Sequence, residues 1–286
     1  MGRAGNCSRS SSTEGGGAAR HPFLLDSYPM KRWLGISGAA LLCTGVCFAQ
    51  FGSFRPSSPD PLPSHPEAEF HLARLAYNSH GRYGGSRGYG MPMWSIDYPY
   101  AEQHFLPALE RFTRIEAADD SVHMQLSDEQ LFDYPWLFIQ QLAQGQWDPS
   151  ELEAARLREY MMRGGFLVVD DIHGENEWIW FTEVIQRVLP GLPIVDIEES
   201  NLLLNIIFDV DKRTQIPGER HLNGRMEGPP HWRAIYDREG RMLVAINHNI
   251  DMGDAWEHAD DAHYPVEMTS LAYRFGVNYV IYAMTH

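Results

Sequence analysis

The sequence predicts an α/β fold: a mainly parallel sheet with helices on both faces and one β-hairpin excursion. Three observations carry this. Helical and strand-like patterns alternate from residue 70 onward, the order expected of strands joined by crossover helices. The central strand-like segment, Phe166–Val169 in GGFLVVDDIHG, is a short apolar run bounded by a glycine pair and acids. Two further strand patterns flank Asp237-Arg238-Glu239-Gly240, a hairpin signal.

In chain order, Phe70–Tyr77 reads as the first strand. Asn78–Gly90 holds five glycines with Arg82, Tyr83, Arg87 and Tyr89 and reads as a surface loop; it lacks the Lys-Ser/Thr ending of a phosphate loop. Tyr100–Thr113 is helical, and Leu131–Ile139 reads as a buried strand. Ser150–Arg163 is a helix opened by a Ser150/Glu153 capping box, with Leu152, Ala155, Leu157 and Tyr160 as its apolar stripe. Gly164-Gly165 stops it, and Phe166–Asp170 follows as a strand. Asn176–Leu189 is a helix ended by Pro190, and Ile194–Ile197 is a short strand. Arg233–Tyr236 and Met242–Ile246 form the hairpin. Pro265–Met284 is the closing helix, with Gly276 as its weak point. There is no internal repeat.

The N-terminal part reads differently. Met30-Lys31-Arg32 is a short basic start, Trp33–Phe48 is mostly apolar, and Cys47-Phe48-Ala49 offers small residues for a cut before Gln50. That is the layout of a signal peptide over 30–49, with an uncleaved anchor as the alternative. Residues 1–29 sit awkwardly before it, so translation is expected to begin at Met30. Residues 50–68 read as a Pro/Ser-rich linker, and 69–286 as a single domain. The expected location is periplasmic or secreted, with no stable membrane span once the signal is removed.

Removing 1–49 takes all three cysteines, which excludes disulfides, thiolate nucleophiles and cysteine metal sites from the remainder. It also leaves 18 basic and 36 acidic residues, a net charge of −18. Such a chain repels nucleic acid and anionic lipid and suits cations or neutral polar ligands.

Five ordered segments carry a resemblance: Trp94–Pro99, DYPWLF at Asp133–Phe138, GGFLVVDDIHG at Gly164–Gly174, HNIDMGDAWEHADD at His248–Asp261, and LAYRFGVNYVIYAMTH at Leu271–His286. Together they resemble the bacterial domain-of-unknown-function family 4159 over about residues 69–286. More distantly the chain resembles the class I glutamine amidotransferase-like fold, including trehalose-utilisation-like domains, a flavodoxin-like arrangement. In those domains a helix and a Gly-Gly pair lead into an apolar strand and a sharp turn. Here that turn would contain Asp171, Ile172 and His173, with no cysteine. The resemblance therefore implies the position of a site and not glutaminase chemistry. Asn201–Asp209 departs from the family, where a histidine-containing equivalent is expected.

Two clusters could carry chemistry. Asp170, Asp171 and His173 lie at the carboxyl end of a strand, where sheets of this type place their ligands. Asp171 and His173 are the candidate catalytic pair, since close carboxylates raise one another's pKa and histidine titrates near neutrality. The structural alternatives are that Asp171 or His173 caps the following helix and that Asp170 ties down a loop. The second cluster follows the hairpin: Asn249, Asp251, Asp254, Trp256 and Glu257, with Asp254 expected to open a helical turn sharing a face with Glu257 and Asp261. Its oxygens suit a divalent cation, Ca²⁺ or Mg²⁺, with Asp251, Asp254 and Glu257 as candidate ligands; carboxylates beside Trp256 also suit a sugar. The alternative is a helix start whose acids match the dipole. A looser third set is Trp94, Asp97, Glu102 and His104; Asp97 reads as a turn residue and a candidate ligand contact.

The leading expectation is a binding module for a carbohydrate or small polar ligand, assisted by a cation. The second is a hydrolase in which His173 works with Asp171 or Glu257. The third is an envelope scaffold.

Overall fold

The computed structural model describes residues 67–78, 92–142, 147–210, 212–222 and 228–286. The expected signal segment, the residues before it, most of the linker and most of the glycine-rich loop lie outside the described residues.

Among the described residues, seven strands form one sheet in the order β2-β1-β3-β4-β7-β6-β5. They are β1 (Ala73–Leu75), β2 (Val122–Met124), β3 (Trp136–Ile139), β4 (Phe166–Ile172), β5 (Ile194–Asp196), β6 (His231–Tyr236) and β7 (Met242–His248). Five of them, β2, β1, β3, β4 and β7, run parallel; β6 and β5 pair antiparallel at the other edge. The chain moves from β1 outward to β2 and then back across to β3, so the order reverses beside β1. The β6–β7 pair is the expected hairpin, closed by Asp237, whose carboxylate accepts the Glu239 and Arg241 amides.

Period-two alternation splits the strand side chains between two cores. On one face Trp136, Phe138, Phe166 and Val168 pack under α1 (Tyr100–Thr113), α4 (Met252–Glu257) and α5 (Val266–Thr285). On the other, Leu137, Ile139, Leu167 and Val169 pack under α2 (Glu151–Met162) and α3 (Gly174–Val188). Each fully buried large apolar side chain contributes roughly 1.5–3 kcal/mol.

Helix α2 begins at the expected capping box: Ser150 accepts the Glu153 amide and Glu153 accepts the Ser150 amide. Its buried stripe is Ala154, Leu157, Tyr160 and Met161, whereas Leu152 is 74% exposed and Ala155 also faces solvent. The Leu131–Ile139 segment is not one strand. Glu129–Asp133 is a 3-10 turn, and pairing begins only at Trp136, after Pro135, which has no N–H to give a ladder. Gly276 is a packing position rather than a weak point. A Cβ there would stand 2.6 Å from Phe105 and 2.7 Å from Trp256, so glycine lets α5 approach α1 and α4. No helix among the described residues is long and apolar enough to cross a membrane.

Candidate functional site

The parallel strands deliver their successors to one end of the sheet. After β1 the chain reaches Asp97, after β3 Gln140 and Gln141, at the end of β4 Asp171 and just beyond it His173, and after β7 Asn249, Asp251 and Asp254. Backbone geometry there is unusual. Asp97, Gln141, Asp171 and Asn249 have φ of 63°, 55°, 56° and 59°, four of the five non-glycine residues with positive φ among those described. Strained backbone of this kind clusters where surrounding structure over-determines it, and functional sites are common among such places.

Asp171 shows how the placement arises. The β4–β7 register shifts between Val169 and Ile172. A regular strand would put Asp170 and Ile172 on the same face. Instead Asp170 joins Asn247 and Tyr279 beneath α5, while Ile172 packs in the opposite core. Between them, Asp171 projects at the strand end. One carboxylate oxygen accepts the Gln141 amide and the other lies 2.8 Å from His173 Nε2. His173 occupies the N-cap position of α3 without capping it through its side chain; the His173 amide instead donates to Glu177. The side chain is thus left to the site.

Asp170 is structural. Its oxygens accept Asn247 Nδ2 at 3.0 Å, the Met252 amide at 2.8 Å and the Gly253 amide at 3.0 Å. Tyr279 Oη donates to Asn247 at 2.8 Å, completing a buried chain from α5 to the start of α4. Burial raises the Asp170 pKa to about 7 even though these donors favour the carboxylate.

Across from Asp171 stands α4. Asp251, not Asp254, is its N-cap: Asp251 accepts the Asp254 amide at 3.0 Å. Asp254 in turn accepts the Glu219 amide at 2.7 Å. Gly218 makes that approach feasible, since a Cβ there would lie 2.6 Å from one Asp251 oxygen and 2.9 Å from one of Asp254. Asp97 is 6% exposed and accepts Gln140 Nε2 at 3.0 Å. A second face of the loop before it is held from below by Arg74, a buried β1 residue that pairs with Glu102 and donates to the carbonyls of Trp94 and Ile96.

A hollow of about 640 Å³, counting the solvent at its mouth, opens between these segments. Asp171, His173, Asp251 and Asp254 line it, joined by Glu177, Arg220 and His221. Ligand atoms of Asp171, His173 and Asp251 lie within 4.8 Å of one another, as do those of Asp97, Asp251 and Asp254. The electrostatics follow from this crowding. Burial, then the charges of neighbouring acids, raise Asp97 and Asp251 well above the usual carboxylate range. Burial alone would lower His173; the hydrogen bond and charge of Asp171, with Glu177 and Asp170, outweigh it and raise the imidazole above 6.5.

Three expected site residues take other roles. Trp256 is 1% exposed and stacks on Phe105 at 4.3 Å, so it presents no ring face to a ligand. Both ends of the Asn249 side chain are engaged, Oδ1 by the Gly174 amide and Nδ2 by the Pro229 carbonyl; it ties β7 to the β4–α3 turn. Glu257 lies at the end of α4 beside His258 and Asp97; it does not line the hollow, but its ligand atom lies within 4.8 Å of those of Asp254 and His258, so it groups with one of its expected cation-binding partners, Asp254, and not with Asp251. Helix α4 ends at Glu257, so Asp261 falls in the following turn, not on the same helical face. In the third set, Glu102 pairs with Arg74, and His104 contacts the Trp256 carbonyl. Sequence reasoning missed Gln140 and Gln141, although both follow a buried strand and the strand-end rule would have found them. Arg220 and His221 come from an aperiodic segment with no such signal.

A family model described as "Domain of unknown function (DUF4159)" matches residues 71–284. No curated protein matches the chain.

Proposed function

The chain belongs to the DUF4159 family, and we propose that its domain binds a small polar ligand in the hollow, with a divalent cation held by Asp97, Asp251 and Asp254. One observation carries this reading: carboxylates from two distant segments, Asp97 after β1 and Asp251 and Asp254 after β7, lie within 4.8 Å of one another, the first two buried and the third half-buried. Uncompensated buried charge is costly, so such a set is either protonated or neutralised by a cation. Oxygen-only donors suit Ca²⁺ or Mg²⁺. Without Trp256 as a platform, the ligand is defined by charge and hydroxyls rather than by a sugar ring face. Residues 69–286 as one domain, exported through 30–49, complete the proposal; the N-terminus of the exported protein is then Gln50.

The test is thermal unfolding of the full chain with Ca²⁺, Mg²⁺ and a panel of polyols and amines. Anything binding only the folded state raises the apparent melting temperature. Wild type should be stabilised, and Asp251→Asn and Asp254→Asn should not respond. Equal responses in all three proteins would remove the hollow from consideration.

The His173–Asp171 contact favours a second reading, hydrolysis. His173 would take a proton from water as its oxygen attacks the substrate, Asp171 would stabilise the imidazolium, and that proton would pass to the leaving group. On any substrate found by screening, His173→Gln should abolish turnover while leaving binding in place. Undiminished turnover would end this reading.

A further inference from the structure

Outside the hollow, beyond the carboxyl end of α4, a second constellation has different chemistry. We propose that His258, Asp261 and His263 form a transition-metal site, best suited to Zn²⁺, with Glu219 beside it as a further oxygen donor. Ligand atoms of the three residues lie within 4.8 Å of one another. His258 Nδ1 already contacts Asp261 Oδ2 at 2.5 Å, and His263 Nε2 lies 3.2 Å from Glu219 Oε1.

The backbone fixes this spacing. The His258 amide donates to Asp254 O at 2.9 Å and closes α4. The Asp261 amide donates to His258 O and the Tyr264 amide to Asp261 O, each at 3.1 Å, so residues 258–264 form successive turns. Tyr264 then anchors them. Its ring stacks on His258 at 6.2 Å with a 17° interplanar angle, and its hydroxyl donates to Pro217 O at 2.7 Å. That last bond also ties down the stretch carrying Glu219, two residues on. The donors are thus held by turns, a stacked ring and a cross-link.

Donor type separates this site from the hollow. Asp97, Asp251 and Asp254 offer only hard oxygens, whereas two imidazoles and a carboxylate favour Zn²⁺ and its neighbours in the first transition row. Three protein ligands leave a fourth tetrahedral position, which Glu219 is placed to fill. The side chains of His258, Asp261 and His263 are 23%, 45% and 56% exposed, so an ion can reach them from solvent.

Calorimetric titration of the full chain with Zn²⁺ tests this. Wild type should show saturable binding. His258→Ala and His263→Ala should weaken it at least about tenfold, more than the loss of an outer-shell partner typically does at its mildest. Asp251→Asn should bind Zn²⁺ like wild type. His263→Gln repeats the arm with less perturbation, and metal-free melting temperatures confirm folding of each variant. Four results overturn the proposal: no saturable Zn²⁺ binding by wild type, wild-type affinity in the histidine variants, loss in Asp251→Asn, or loss in variants that have unfolded together with full affinity in His263→Gln. The result is separable from the hollow's Ca²⁺ or Mg²⁺ response, which the histidine variants should retain.

Discussion

His173 Nε2 lies 2.8 Å from Asp171 Oδ1, at the end of a strand whose last turn is bent by left-handed backbone at Asp171 itself. Two opposing influences meet on that imidazole: burial disfavours its charge, and the carboxylate restores it. Removing the carboxylate leaves the burial. Titration followed by NMR should therefore place His173 above 6.5 in wild type and at a lower midpoint in Asp171→Asn. An unchanged midpoint would show that Asp171 does not govern His173. The same pairing has a stability consequence. A raised folded-state pKa stabilises the fold at pH below 6.5, and that contribution is lost as pH rises through the folded value.

Asp251 and Asp97 carry the same sign for a different reason. Their folded pKa values are raised by burial and neighbouring acids, so their contribution is full below the unfolded carboxylate range and is lost as pH rises. Asparagine keeps the N-cap acceptor and has no charge to desolvate. Without cations, Asp251→Asn should gain stability relative to wild type as pH rises above the unfolded carboxylate range, read by denaturant unfolding at each pH. A stability difference independent of pH would contradict the charge crowding described above.

Asp170 holds two backbone amides of α4 and the Asn247 side chain. Asp170→Ala strands those donors in the interior and should cost about 3 kcal/mol or more in urea unfolding. A cost below about 1 kcal/mol would mean that water replaces the carboxylate without difficulty.

Gly276 opposes helix propensity to packing. Alanine gains about 1 kcal/mol as a helix former. Its Cβ would sit 2.6 Å from Phe105 and 2.7 Å from Trp256, two buried rings stacked on each other. Overpacking of this kind costs about 1–3 kcal/mol, so Gly276→Ala should destabilise on balance. A raised melting temperature would show that the rings can yield.

Local chemistry made much of the fold legible. The Ser150/Glu153 box, the Gly164-Gly165 stop, the turn at Asp237–Gly240 and the apolar run of β4 each reflect interactions within a few residues, and each appears where expected. The placement of Asp171 and His173 at the carboxyl end of a buried strand was legible through topology. What escaped depends on facing and distance. Nothing in GDAWEHADD says that Trp256 turns inward while the acids around it turn out. The Arg74–Glu102 pair spans 28 residues with no periodic signal. Leu152 looks like stripe material by type, yet helix rotation exposes it and buries Ala154 and Met161 instead. Gly276 read as a breaker because propensity is local, whereas its reason is a ring on another helix.

The central claim is that the acids after β1 and β7 hold one cation together. Asp251 and Asp254 line the hollow and Asp97 lies within ligand reach beside them, so the proposed cation sits among these three acids at the edge of the hollow. Crystals of the full chain soaked in Mn²⁺, with data collected for anomalous scattering, test it most directly. The account predicts a peak bounded by Asp97, Asp251 and Asp254, absent in Asp251→Asn. A map with no peak among these acids, at an ion concentration that saturates any thermal response, would contradict it.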